Sequence, residues 1–315
     1  MQTYLEFERP YADLQTRISE LRVSAEAGDA DIESELEKLE AKAERILADT
    51  YAKLSPWQKT QVARHPNRPH FKHFINRMFD DFTLLAGDRA FADDQAILGG
   101  LAQFRGRKVM VIGHEKGDDT ASRIKHNFGM GKPEGYRKAI RLVELADRFN
   151  LPVVTLVDTS GAFPGIQAEE RGQAEAIARS TEACLNLGVP MVAAIVGEGG
   201  SGGAIALAAG NRVLMLANSV YSVISPEGCA SILWRTNEKA ADAAEAMKMT
   251  ADDLLALKVI DTVVPEPLGG AHRSPDVAID LLADAIEAAL ASLDGLSRDE
   301  LRADRRRKFL AMGAL

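Results

Sequence analysis

Cysteine is scarce. The chain carries two, Cys184 and Cys229, far apart and in no C-x-x-C pattern. That excludes a zinc site made of cysteine alone and gives no sign of a disulfide scaffold. Positive charge is not in excess either: 38 Lys and Arg stand against 46 Asp and Glu, a net charge of −8. Sequence-independent nucleic-acid binding needs basic surface and is not expected, although a local basic patch for a phosphate ligand stays open. No apolar run approaches the roughly 20 residues of a membrane span. Residues 1–8 hold neither the basic stretch nor the apolar core of a secretory leader, so the expected address is a reducing cytoplasm. No signature recurs at a 20–50-residue period, which excludes a simple solenoid. What is present is ordinary globular composition, 46% hydrophobic and 27% charged over 315 residues, enough for a large core.

Residues 10–55 read as two helices with a heptad-like seam. Leu14, Ile18 and Leu21 lie on the first, and Ile32, Leu36, Leu39, Ala43 and Ile46 on the second, with a break at Gly28-Asp29. A hairpin covering the domain edge and an oligomer contact both fit. Two prolines in residues 64–70 predict a loop, whose neighbours His65, His70 and His73 read as solvated rather than metal-ligating. From about residue 94, strands and helices alternate. Residues 95–104 and 108–114 read as a hairpin, 153–157 and 189–196 as buried strands, and 168–187 as one helix. Shorter strands are expected near 213–216, 220–224 and 259–264. The charge run 302–308 reads as a solvated helix face, with phosphate binding as the alternative. Repeated units of this length predict an α/β architecture.

Two glycine-rich segments each follow an apolar strand and precede a helix, where a ligand meets free backbone N–H groups. The first is Asp158-Thr159-Ser160-Gly161-Ala162-Phe163-Pro164-Gly165. The second is Gly197-Glu198-Gly199-Gly200-Ser201-Gly202-Gly203, with five glycines in seven positions. The second contains a G-x-G-x-x-G, but no Asp or Glu occurs between Arg212 and Pro226 to hold a ribose, so a dinucleotide is not expected. It also contains a G-x-S-x-G, with Asp261 and His272 following Ser201 in the order of a serine hydrolase. A third reading needs no side-chain nucleophile: paired backbone amides could stabilise an enolate or similar oxyanion.

These segments also carry a resemblance. Together with A-E-E-R-G-Q over 168–173 and I-S-P-E-G-C-A-S-I-L-W over 224–234, they are similar to the α subunits of bacterial acetyl-CoA carboxylase carboxyltransferase. So are H-P-N-R-P over 65–69, L-A-G-D-R-A over 85–90, N-F-G-M over 127–130, P-E-G-Y-R-K over 133–138 and P-E-P-L-G-G-A-H-R over 265–273. The resemblance covers nearly the whole chain. It implies a crotonase-like fold of ββα units over residues 93–315 with a helical C-terminal tail, preceded by an N-terminal helical and loop segment, 1–92, that serves assembly. It implies transfer of a carboxyl group from N1-carboxybiotin on a biotin carboxyl carrier protein to acetyl-CoA, giving malonyl-CoA for fatty acid synthesis. Biotin carboxylase, a separate component, uses the ATP. The implied partner is a β subunit with a four-cysteine zinc ribbon, in an α2β2 assembly, and this chain itself binds no metal.

Carried onto this sequence, the biotin oxyanion site is the amides of Gly202 and Gly203, supported by Gly161, Ala162, Phe163, Gly199 and Gly200, with Ser201 a spacer. The implied base is the biotin ureido anion left when carboxybiotin releases CO2. It takes the α-proton of acetyl-CoA, and the enolate attacks the CO2. Glu198 either orients the loop or is a surface acid. Glu227 reads as a helix cap, His114 as a satisfied core histidine, and Arg137 and Lys138 as a solvated helix face that could also meet CoA phosphates.

Overall fold

A computed structural model describes residues 3–25 and 30–313. The expected break at Gly28-Asp29 lies outside the described residues. The helices are α1 (Arg9–Ala25), α2 (Ala30–Tyr51), α3 (Pro56–Ala63), α4 (Phe71–Met78), α5 (Thr120–Lys125), α6 (Pro133–Phe149), α7 (Ile166–Glu170), α8 (Gln173–Asn186), α9 (Ser201–Ala208), α10 (Pro226–Trp234), α11 (Ala240–Ala246), α12 (Ala251–Ala256), α13 (Pro275–Ala291) and α14 (Arg298–Ala311). The strands are β1 (Asp80–Leu84), β2 (Ile97–Phe104), β3 (Arg107–His114), β4 (Val153–Thr159), β5 (Met191–Gly200), β6 (Arg212–Leu216), β7 (Val220–Ser222) and β8 (Thr262–Val264). Among the described residues no helix is long and apolar enough to cross a membrane.

The strands form one sheet in the order β1-β2-β3-β4-β5-β6-β8, with β7 paired to the far end of β5. β1, β2 and β3 are antiparallel neighbours, and Ile97 faces His114 while Phe104 faces Arg107. Their hairpin turns on Arg105 and Gly106, both at positive φ, the geometry that matches the twist of a two-residue hairpin. From β3 onward the pairing is parallel.

Both faces of the sheet are covered, so its central strands are apolar without alternation. The pleat still sorts the side chains by parity. Met110, Ile112, Val153, Val157, Met191, Ala193 and Ile195 pack under α6, α8 and α9. Val109, Val111, Val154, Leu156, Val192, Ala194 and Val196 pack under α4 and α13. Thus α4, which precedes residue 93, closes the second core, and β1, also before residue 93, is the sheet's edge. In the N-terminal helices Ile18, Ala43 and Leu47 are buried, and Arg17–Glu35 and Arg22–Glu40 ion pairs link α1 to α2.

Several expectations are corrected by packing. His65 and His70 are 2% and 5% exposed rather than solvated, because the 64–70 loop folds inward between α3 and α4; His73 is exposed as expected. The 302–308 run is not a uniformly solvated face. Arg305 is fully buried and donates to the carbonyls of Leu185, Leu187 and Val189, satisfying backbone acceptors in the last turn of α8 and just past it. Lys138 is also fully buried, bonded to Asp93 at 2.5 Å and to the Asp94 carbonyl at 2.6 Å, while Arg137 pairs with Asp88 at 2.9 Å. The expected helix 168–187 divides into α7 and α8, with Gly172 at φ 78° between them.

Candidate active site

β4 and β5 pair in parallel, and after a register shift between Val157 and Thr159 they bring Thr159 opposite Gly199, so both glycine segments arrive at one edge of the sheet. The second segment is half strand. Gly197–Gly200, expected as loop, continues β5 between β4 and β7. Glycine is needed there because the neighbours come too close for a side chain. A Cβ at Gly197 would stand 2.3 Å from Asp158 Oδ1, at Gly199 2.8 Å from Tyr221 Cδ2, and at Gly200 2.3 Å from the carbonyl of Ser160. At Gly203 it would meet the backbone of Gly161 and Ala162 at 2.7 and 2.8 Å. The two segments therefore touch backbone to backbone.

α9 starts at Ser201, one or two residues before the expected Gly202 or Gly203. Ser201 is exposed and left-handed at φ 53°. Gly202 and Gly203 then occupy the first helical turn, whose N–H groups have no partner within the helix and sit at the positive end of its dipole. Gly202 opens on a mainly apolar cavity of about 540 Å³, shared with Ile205, Tyr221, Val223 and Leu257. On the β4 side, Gly161 has φ 144°. The Thr159 hydroxyl closes that turn, accepting from Gly161 N–H at 3.1 Å and donating to Gly161 O at 2.7 Å. The Phe163 N–H donates to Gly131 O at 3.0 Å, so that amide is engaged inside the protein.

A charged shell surrounds the junction. The Glu198 N–H donates to Asp158 Oδ1 at 2.9 Å, and Lys116 Nζ reaches the same oxygen at 2.6 Å. Burial opposes the Asp158 charge, but Lys116 and His70 outweigh it and hold its carboxyl well below the usual range. Glu198 is buried and orients the strand end rather than serving as a surface acid. Its carboxylate accepts from Arg64 Nε at 3.0 Å and Nη2 at 2.6 Å, and Arg64 Nη1 donates to Glu227 at 2.6 Å. The cap of α10 is Ser225, which accepts from Gly228 N–H; Glu227 turns to Arg64 instead. His114 is buried, but neither ring nitrogen has a partner, and burial lowers its pKa to about 4. Arg64, Lys116 and His70 were not singled out for this junction by sequence reasoning. Arg64 and Glu198 lie 134 residues apart, and no spacing rule links them.

The hydrolase reading fails on geometry. Ser201 does occupy a strained strand-to-helix turn, as a nucleophile would. However, neither ring nitrogen of His272 has a partner, and the ring stacks on His65 with centroids 4.0 Å apart. Asp261 accepts from Val213 N–H and pairs with Lys308. Among the described residues no group of three or more His, Cys, Asp or Glu could hold a metal ion.

Sheet, covering helices and glycine turn together define a crotonase-like α/β protein whose two glycine segments meet where β5 passes into α9. Solved structures share this architecture. A Pseudomonas malonate decarboxylase heterotetramer in complex with coenzyme A matches with a TM-score of 0.56 at 19% identity, covering 69% of this chain and 88% of that one. The P. aeruginosa geranyl-CoA carboxylase β subunit matches at 0.56 and 18% identity, over 79% of this chain and 46% of that one, so this chain spans less than half of that neighbour. Residues 4–313 match the family described as "Acetyl co-enzyme A carboxylase carboxyltransferase-like". A Sphingopyxis alaskensis relative named acetyl-coenzyme A carboxylase carboxyl transferase subunit alpha is 71% identical over 313 residues, covering 99% of both chains. A Rhizorhabdus wittichii relative of the same name is 73% identical over 313 residues, covering 99% of this chain and 100% of the relative. The chain belongs to the acetyl-coenzyme A carboxylase carboxyltransferase family, among its α subunits.

Proposed function

We propose that this chain is the half of an acetyl-CoA carboxylase carboxyltransferase that receives carboxybiotin. The observation that supports this most is the first turn of α9 in a chain of this family: two glycine amides at a helix N-terminus, bordering a mainly apolar cavity. The amides of Gly202 and Gly203 donate to the ureido oxygen of biotin as negative charge grows there. Losing one such donor typically costs about 2.7–4 kcal/mol of barrier. Gly161 and Ala162 back this turn, Gly199 and Gly200 bring it against β4, and Phe163 holds the far side of the loop. Ser201 is a spacer.

Carboxybiotin, carried on a biotin carboxyl carrier protein, supplies both the carboxyl group and, after its release, the base for acetyl-CoA. A separate β subunit with a zinc ribbon supplies the thioester oxyanion site in an α2β2 assembly, and biotin carboxylase recharges the carrier. Residues 93–315 carry transfer on a sheet domain that α3, α4 and β1 complete, and the rest of residues 1–92 serves assembly. The address is the cytoplasm. The test is carboxyl transfer from malonyl-CoA to free biocytin by the chain co-purified with its β partner. Transfer is expected only with both subunits, and Gly203→Val is expected to remove it. A fully assembled complex that transfers no carboxyl group overturns the assignment.

A further inference from the structure

Beyond its strand pairing, the glycine turn has few side chains to hold it in place. Within residues 197–203 the side chains are those of Glu198 and Ser201, and Ser201 is exposed. Gly199, Gly200, Gly202 and Gly203 have none, and glycine loses more conformational freedom on ordering than any other residue. Glu198 is therefore the one charged anchor of the segment, and it is fixed twice. Its backbone N–H is held by Asp158, which Lys116 holds in turn. Its side chain is held by Arg64 through Nε and Nη2, while Nη1 of the same guanidinium reaches Glu227 in the first turn of α10. Arg64 caps α3, an element remote in sequence from both. One rigid, planar cation thus ties α3, β5 and α10 together around the turn, a geometry that lysine cannot reproduce.

We propose that Arg64 is a positioning residue for the anion site: acting through Glu198, it sets where the Gly202 and Gly203 amides stand against the Gly161–Ala162 backbone. Its kinetic consequence rests on the carboxyltransferase reading above; its structural consequence does not. Misplacing donors by about 1 Å can cost on the order of 10²-fold in rate with binding little changed.

The experiment uses the assembled complex with Arg64→Met, Arg64→Lys and Glu227→Gln, and reads two quantities. The first is kcat against KM for malonyl-CoA and biocytin. The second is amide hydrogen exchange resolved to the peptide spanning 197–205. Arg64→Met is expected to lower kcat about 10- to 100-fold with both KM values held within about twofold, and to speed exchange in that peptide while β4 and α6 keep wild-type protection. Arg64→Lys is expected to restore part of kcat, because an ammonium still reaches one carboxylate. Wild-type kcat and exchange in Arg64→Met overturn the proposal, as does a uniform rise in exchange across the sheet. Should Arg64→Met fail to fold, Glu227→Gln decides: faster exchange at 197–205 supports the clamp, and wild-type exchange overturns it. An inactive wild-type complex would sink the carboxyltransferase reading alone, because the exchange measurement still judges the clamp.

Discussion

The tips of β4 and β5 meet at one place and are built in opposite ways. The β4 tip is held by side chains: the Thr159 hydroxyl bonds Gly161 on both sides, and Gln173 Nε2 donates to Gly131 O and Phe163 O at 2.9 Å each. The β5 tip is held by the absence of side chains. Its glycines let β4, β7 and the Ser160–Ala162 backbone close in, and a distant arginine secures its single acidic residue. Glycine also serves different ends in the two. Gly161 has open space around its missing Cβ, with the nearest atom 4.0 Å away, but needs φ 144°. Gly200 has an ordinary φ but no room. One is a conformational requirement and the other a steric one.

Adding a methyl group to each should separate these two causes, and this is the largest expected effect. Gly200→Ala must push apart two backbones, an overpacking cost of about 3 kcal/mol or more, and should abolish transfer. Gly161→Ala meets no atom but strains the backbone by about 1–3 kcal/mol, and should leave measurable transfer. Urea melts and transfer rates of the two variants check the order; a milder Gly200→Ala would show that steric closeness is not what holds the β5 tip.

The β4 side should also be the acid-sensitive one. His114, next to Asp158, is neutral when folded, with a pKa near 4, whereas an unfolded histidine takes its proton near 6.5. The unfolded state therefore binds more protons in that window, and stability falls as pH drops from about 6.5 to about 4, by up to roughly 1.4 kcal/mol per pH unit for this group. Asp158 works at lower pH. Its folded pKa is depressed, so the stability it contributes is present above the ordinary carboxylate range and is lost as acid protonates it. Urea melts at pH 5 and 7 check this: His114→Leu should narrow the difference between them, leaving the share of His65 and His272, whose pKa values burial also lowers.

Smaller effects complete the contrast. Thr159→Val removes both bonds at Gly161 and should cost about 1–3 kcal/mol, with a loss of activity confined to a few-fold. Ser201→Ala should leave the rate within about twofold and a fluorophosphonate should not label the chain, since the exposed hydroxyl anchors nothing. Rates and mass spectrometry of the assembled complex test both.

Legibility in the sequence followed range. The hairpin of β2 and β3 and the buried strands β4 and β5 are local patterns of apolar period and turn residues, and they read correctly to within a few residues. The glycine segments were visible because five glycines in seven positions have no other common cause. The errors lie where long side chains reach across the molecule. Arg305, Lys138 and Arg137 carry the signature of a wet surface, yet each finds carbonyls or carboxylates on another element. His65 and His70 sit in a proline-rich loop that folds inward. Ser201 matched a nucleophile pattern because the strained strand-to-helix turn is shared, while His272 and Asp261 are committed elsewhere.

The sequence by itself determined the family, the α/β class and where the two glycine segments fall, because these rest on composition, period and glycine placement along the chain. Only the tertiary structure decided which glycines are there for lack of space, which amides are already engaged, and that an arginine from α3 secures the turn after β5. Those depend on distances between segments 40 residues apart at Asp158 and Glu198 and 134 apart at Arg64 and Glu198, and burial turns such encounters into strong, directional bonds that no local pattern records.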